Sequence, residues 1–392
     1  MINIDILTTT RAEYGLMRPL IKNMLNDKDI NMRLLVTGTH LSEKYGMTYH
    51  EIESDGIPIH KKIDILSNSD GVLSVSETMA NALSKFTKYF MLEKPDFLLV
   101  DGDRYETMAV CVAAFNANVP IIHCGGGATT EGAADEFYRH SITKMAYLHF
   151  PTTETYRKRI IQLGENPERV FTVGSMGIEN ILSTKLLSKK ELEDSLGFVL
   201  DKPFALVTFH PVTLENQTSA EQLQELLAAC DAIEDMKFVF TMANADAGGS
   251  EINSALLEYA SKRTDKVLCV NSLGSLRYLS AMNYCDFVLG NSSSGLIETP
   301  SFKIPTVNIG DRQRGRIKAK SVIDCEPRMA DIVESIKIAR SDVFREMCRQ
   351  VVNPNGDGKT TGKIISAIKE YCNKHRVDLK KKFYDVNFSF GD

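Results

Sequence analysis

No C-x-x-C pair, no G-x-G-x-x-G string, no H-E-x-x-H pair and no apolar run near the roughly 18 residues of a membrane-crossing helix occurs in this chain. The eight cysteines, at 111, 124, 230, 269, 285, 325, 348 and 372, include several inside apolar runs such as Val110-Cys111-Val112, so they read as buried thiols of a reducing compartment. His123, His140, His149 and His210 lack metal-ligand spacing with cysteine, which argues against a structural zinc, and the missing glycine fingerprint argues against a dinucleotide. No metal and no cofactor is expected. The N-terminus, Met1-Ile2-Asn3-Ile4-Asp5, shows no basic region followed by an apolar stretch of signal-peptide length, so the expected location is cytoplasmic, away from any membrane. A formal charge of -5, spread without blocks, argues against nucleic acid as the main partner. It does not exclude an anionic ligand, because a few arginines and helix N-termini suffice for one phosphate group.

What is present is an ordinary globular composition, 43% hydrophobic and 25% charged, over 392 residues. That length exceeds the roughly 250 to 300 residues at which single cores stop growing, so two domains are expected. Short apolar runs alternate with amphipathic stretches: 4–7, then 14–27, 32–36, 75–93, 97–100, 105–117 and 119–123. Runs of four to six residues without strict alternation suit a parallel sheet covered on both faces, and each crossover is long enough for a helix. The fold class is α/β. Strand-like runs continue at 148–150 and 170–173, and 175–197 reads as polar and helical. A second series repeats the rhythm at 204–207, 238–240, 267–270, 287–289 and 306–309. The charged stretch from Leu186 to Pro203 places the domain boundary there, giving 1–185 and 186–392. A last helix at about 360–375, following the Asn353-Pro354-Asn355-Gly356 turn, could pack back on the first domain, and residues after about 378 read as a poorly ordered tail.

Ligands of open α/β sheets bind at the carboxyl ends of strands. After the first run, Thr8-Thr9-Thr10-Arg11-Ala12-Glu13 opens a helix with Arg11 at its mouth, either an anion site or an N-cap beside a solvated arginine. Asp101-Gly102-Asp103-Arg104-Tyr105-Glu106 is dense in charge, though helix starts also favour acids. The run His123-Cys124-Gly125-Gly126-Gly127-Ala128-Thr129-Thr130-Glu131 leads to Asp135 and Arg139, four apart on one helix face, so either a site or a simple ion pair. In the second half His210 precedes Pro211 at a strand end, and Asn291-Ser292-Ser293-Ser294-Gly295 stands where a strand gives way to a helix, a phosphate cradle without a lysine.

The strings Thr10-Arg11-Ala12-Glu13-Tyr14-Gly15, Val36-Thr37-Gly38-Thr39-His40, Gly102-Asp103-Arg104-Tyr105-Glu106, Arg139-His140-Ser141-Ile142-Thr143-Lys144, Phe209-His210-Pro211, Asn291 to Glu298 and Asn308-Ile309-Gly310-Asp311-Arg312-Gln313 follow one another in order over about residues 3–370. Together they resemble the hydrolysing UDP-N-acetylglucosamine 2-epimerases, most closely the bacterial sialic-acid-pathway type. The resemblance implies two Rossmann-like domains facing across a cleft in the GT-B arrangement. It also implies elimination of UDP from UDP-N-acetylglucosamine through 2-acetamidoglucal, then addition of water to give N-acetylmannosamine, in a homodimer or homotetramer. By this match Arg11, His210, Ser292, Ser293, Ser294, Gly295 and Arg312 would hold the diphosphate and Glu298 the ribose. Asp103 and Asp135 would handle protons, with Arg104, Arg139 and Asn244 positioning the ligand or the carboxylates. The family carries a glutamate just before or just after the glycine pair of its His-x-x-Gly-Gly segment, where this chain has Gly125 and Ala128. Glu131 is the expected substitute. A related 2,4-diacetamido-trideoxy sugar, a GT-B glycosyltransferase and a UDP-binding protein of impaired activity are the alternative readings.

Overall fold

The computed structural model describes residues 1–67, 71–129, 134–211, 219–242 and 249–387. The chain divides into two compact units, Met1–Asn180 with Asn355–Asp392, and Ile181–Pro354. From sequence, the chain divides at 185 and the last helix, about 360–375, can pack back on the first domain; here Asn355–Asp392 groups with the first unit.

In the first unit, β1 (Ile2–Thr8), β2 (Ile30–Thr37), β3 (Ile59–Ile63), β4 (Phe97–Asp101), β5 (Ile121–Cys124) and β6 (Leu148–Phe150) form one parallel sheet in the order β3-β2-β1-β4-β5-β6. Its strands alternate between two cores. Ile4, Ile6, Leu34 and Val36 join one buried cluster, while Leu7, Leu35, Leu98 and Val100 join the other. Helix Arg11–Leu25 covers the first face with Tyr14, Met17, Leu20, Ile21 and Met24, and helix Thr360–Lys374 adds Ile364, Ile368 and Tyr371, a helical spacing of four and three. Each such fully buried side chain contributes about 1.5 to 3 kcal/mol. Helices Gly71–Glu93 and Tyr105–Asn116 cover the opposite face.

The second unit repeats the plan. Here β7 (Phe204–Thr208), β8 (Lys237–Thr241), β9 (Val267–Val270), β10 (Phe287–Gly290), β11 (Thr306–Ile309) and β12 (Val322–Cys325) form a parallel sheet in the order β12-β11-β10-β7-β8-β9. Counted from its own first strand this is the same 3-2-1-4-5-6 winding as in the first unit, the Rossmann order. The winding reverses between β1 and β4, and again between β7 and β10, and these are the two switch points.

Two expectations need correction. Residues 170–173 do not form a strand: a single bridge joins Val170 to His149 and the chain then leaves the sheet. The stretch 175–197 is helical as the sequence suggests, in two helices, Met176–Ser183 and Lys189–Leu196, the second opened by a Ser188–Glu191 capping box. The segment after 378 is not loose through residue 384. Tyr384 N–H donates to the Gly164 carbonyl at 2.9 Å, and Lys381 Nζ donates to the Ala146 carbonyl at 2.6 Å and pairs with Glu165 at 2.7 Å.

Glu165 is fully buried and also meets Lys144 at 2.6 Å and His149 Nε2 at 3.2 Å. Burial opposes its ionisation, but the His149 hydrogen bond and the two lysines outweigh it and hold its pKa below the usual 4.5. A depressed folded-state pKa means that this stabilisation is present above the unfolded value and is lost as pH falls through the folded one. Glu165→Gln is therefore expected to lower the unfolding free energy by about 3 kcal/mol at neutral pH. It should also flatten the acid-side decline in stability expected of the native protein as pH falls below 4.5. Urea midpoints measured between neutral and acid pH check both; equal midpoints for variant and native protein throughout would dismiss the ionic role.

Candidate functional site

Every described cluster singled out from sequence lies at the carboxyl end of a strand, and most lie at the two switch points. After β1, Thr10 caps helix Arg11–Leu25 by accepting from Glu13 N–H. The Glu13 carboxyl folds back to accept from Thr9 N–H at 2.6 Å and Thr9 Oγ1 at 2.8 Å, bracing the turn; burial pushes its pKa up to about 8. Arg11 is 71% exposed and pairs with Glu51 at 2.9 Å. An exposed pair of this kind is worth at most about 1 kcal/mol, so Arg11 can exchange Glu51 for a phosphate at little cost.

After β4 the chain turns through Asp101, Gly102 and Asp103, Gly102 taking the left-handed φ of +78°. His123 at the end of β5 holds this turn: its Nε2 lies 2.8 Å from the Gly102 carbonyl and its Nδ1 3.2 Å from Thr143 Oγ1. Because the carbonyl can only accept, Nε2 carries the proton. Burial drives the ring's pKa down to about 3, so it stays neutral. Asp103 Oδ2 accepts from Arg139 Nε at 2.7 Å and from Nη2 of the same guanidinium, which also donates through Nη1 to the Ala128 carbonyl at 3.0 Å. This pairing replaces the Asp135–Arg139 contact that spacing allowed: Arg139 also lies 3.6 Å from Glu136, while Asp135 is exposed and makes no hydrogen bond or ion pair with either partner. Arg104 is tied to Glu106 at 2.8 Å. Glu131 lies outside the described residues.

Asp101 belongs to the charged run after β4, but the sequence assigned it no role of its own. It lines a cavity of about 190 Å³ with Gly125, Leu16, Phe150, Met176 and Ile364. Burial and the Asp103 charge push its pKa up to about 7. The alternation of side chains along a strand gave no hint that this terminal residue would face a cavity.

In the second unit His210 follows β7 and is nearly buried. Asn291, fully buried, clasps its backbone from both sides, accepting from His210 N–H at 2.7 Å and donating to the His210 carbonyl at 2.9 Å. The carbonyl of Asn291 accepts in turn from Arg312 Nη1 at 3.1 Å and Gln313 Nε2 at 2.8 Å, so residues after β7, β10 and β11 are joined through one asparagine. Asn291 and Gln313 stood in the quoted strings, but no role was read for them. The serine turn opens a helix, as expected, of four residues only, Ser294–Ile297. So short a helix has little dipole, and what the turn can offer an anion is local N–H groups and hydroxyls. Tyr278 Oη donates to Ser294 Oγ at 3.0 Å, and Ser294 donates to Glu298 Oε2 at 2.5 Å. Burial raises the Glu298 pKa. Gly295 serves close packing: a Cβ there would stand 2.7 Å from Thr306 Cγ2. Asn244 lies outside the described residues.

Two Rossmann-wound units, each gathering charged and hydroxyl side chains at its switch point, have the build of a nucleotide-dependent α/β enzyme. The family model for UDP-N-acetylglucosamine 2-epimerase matches residues 22–369. The chain is 40% identical to the GDP/UDP-N,N'-diacetylbacillosamine 2-epimerase (hydrolyzing) of Campylobacter jejuni, over 98% of this chain and 99% of that one. It is also 40% identical to the polysialic acid biosynthesis protein P7 of Escherichia coli, over 98% of each. Among solved structures, the UDP-GlcNAc 2-epimerase of Neisseria meningitidis bound to UDP-GlcNAc superposes with a TM-score of 0.79 at 19% identity, covering 95% of this chain and all of that one. The chain belongs to the UDP-N-acetylglucosamine 2-epimerase family and is a nucleotide-sugar 2-epimerase. Among the described residues no helix is long and apolar enough to cross a membrane.

Proposed function

We propose that the chain is a hydrolysing 2-epimerase of a UDP-linked 2-acetamido sugar. The observation that carries this reading is the Asp103–Arg139 pair at the first switch point, which fixes a carboxylate beside the glycine turn in a chain of this family. In the reaction a base takes the C2 proton and the C1–O bond to the β-phosphate breaks, its electron pair leaving with UDP. Water then adds hydroxyl to C1 and hydrogen to C2 on the opposite face. Asp103 and Asp135 handle the protons, with Glu131 as a further carboxylate. Arg11, His210, Ser292, Ser293, Ser294, Gly295 and Arg312 receive the diphosphate, where charge develops as UDP departs, and Glu298 the ribose hydroxyls. Arg104, Arg139 and Asn244 position sugar and carboxylates. None of these steps calls for a redox cofactor or a metal.

UDP-N-acetylglucosamine is the first substrate to try. The second is UDP-N,N'-diacetylbacillosamine, favoured by the apolar lining of the cavity beside Asp101 and Gly125, where a deoxy C6 methyl and a second acetyl methyl would be at home. The name of the Campylobacter relative points the same way. Incubation of each sugar nucleotide with the protein in deuterated water, followed by NMR, is expected to show UDP, free 2-epimerised sugar and deuterium at C2 for one of them. UDP bound tightly with no C2 exchange from either would mark a binding protein instead; sugar transfer only when an acceptor is added would mark a glycosyltransferase. Self-association into a dimer or tetramer is proposed as well, and sedimentation velocity reads it directly.

A further inference from the structure

Inversion at C2 needs two proton-handling groups on opposite faces of the sugar: one base to remove the proton during elimination, one acid to return it during hydration. Asp103 is committed to the first kind of work, because its Oδ2 is gripped by two N–H groups of Arg139, which orient it as an acceptor. Gly125 and Ala128 carry no carboxyl group. A side chain at Gly125 would begin 3.6 Å from Asp101 Oδ1, and Gly125 and Asp101 line the same cavity. The space that glycine leaves empty is thus bordered by a carboxyl group from the neighbouring strand end. No hydrogen bond from a described residue reaches that carboxyl, unlike Glu13, Glu106 and Asp103 around it.

We propose that Asp101 is the acid of the hydration half-reaction, delivering its proton to C2 of the glycal from the side of the cavity opened by Gly125. The proposal rests on the epimerase reading above. In elimination the opposing base takes the C2 proton as the C1–O bond breaks and UDP leaves with the electron pair. In hydration the oxygen of water bonds to C1, Asp101 gives its proton to C2, and the remaining water proton passes to solvent. Asp101 regains a proton from solvent and the base loses the one it took, so one proton is released for each UDP formed.

The surroundings suit a neutral carboxyl at physiological pH. From the adjoining loop the Asp103 charge opposes a second negative charge, while Glu13 of helix Arg11–Leu25, its own pKa pushed up to about 8, and the Cys124 thiol of β5, pushed up by burial, add none at neutral pH; the hydroxyls of Ser175 and Thr360 also line the cavity without adding charge. The pKa raised to about 7 follows from burial first and Asp103 second.

The test uses the full chain with whichever sugar nucleotide it converts. Asp101→Asn is expected to release UDP and accumulate 2-acetamidoglucal, or its 4-acetamido counterpart, while free sugar formation falls about 100-fold or more. UDP affinity by calorimetry and the thermal midpoint should match the native protein. Hydration of added glycal in the presence of UDP should slow in the native protein as pH rises through about 7. In Asp101→Asn that limb should vanish, and in Asp101→Glu it should return. Free sugar formed by Asp101→Asn at the native rate overturns the proposal, as does loss of elimination together with hydration while UDP still binds. So does glycal accumulating in Glu131→Gln but not in Asp101→Asn. If Asp101→Asn does not fold, a native hydration rate that stays flat across neutral pH is sufficient to reject Asp101. Should the native protein convert neither sugar nucleotide, the epimerase reading itself fails, which the first incubation reveals before any variant is made.

Discussion

Asp103→Asn is expected to reduce turnover of the sugar nucleotide by about 100- to 10,000-fold while leaving UDP affinity unchanged. The amide is nearly isosteric, so the turn at Gly102 and its bond to His123 Nε2 should persist. What is lost is the basic oxygen and half of the charge pairing with Arg139, whose guanidinium is only 7% exposed and would then face a neutral partner. The C2 proton is weakly acidic, and removing it without a positioned carboxylate leaves only water as base. Coupled measurement of UDP release, calorimetry with UDP and C2 deuterium exchange separate the outcomes. Turnover within about tenfold of native would show that Asp103 is not the base.

Gly290→Ala should be the most damaging single-methyl change in the second unit, lowering the unfolding free energy by about 4 kcal/mol or more. Gly290 closes β10 with φ at +130°, opposite Thr208 at the end of β7. A Cβ there would fall inside the contact distance of the Thr208 carbonyl oxygen and 2.8 Å from its carbon, both of them backbone atoms that cannot swing away. The two strands would have to part at their switch point, breaking the 3.1 Å bond from Asn291 N–H to the Thr208 carbonyl. Since Asn291 clasps His210, loss of UDP binding should accompany loss of stability. Urea unfolding and calorimetry read both effects. A Gly290→Ala protein with native midpoint and native UDP affinity would refute the argument.

The interior strands of both sheets were legible because each is covered on two faces and so appears as an unbroken apolar run. The outer strands β3 and β12 were not: Ile59-His60-Lys61-Lys62-Ile63 and Val322-Ile323-Asp324-Cys325 stand at sheet edges, where charge is tolerated and even useful, and it erases the pattern. Val170–Val173 failed in the opposite sense, apolar enough for a strand yet held in the sheet by one bridge. Site positions were readable as strand ends, but partners were not. Arg139 meets Asp103 from 36 residues away, and only the sheet order that sets β4 beside β5 brings them together, whereas local spacing offered Asp135. Glu13 read as an ordinary first-turn acid, and nothing in its spacing foretold that it would fold inward onto Thr9.

The division of the chain also sets an order of events during synthesis. Residues Ile181–Pro354 leave the ribosome as one continuous stretch that carries its whole sheet and both of its cores. The first unit, although it emerges earlier, lacks Ile364, Ile368 and Tyr371 of its buried cluster until the last helix arrives. The half that is begun first is therefore finished last, and a nascent chain halted before residue 360 would carry an apolar face open to whatever holds unfinished proteins.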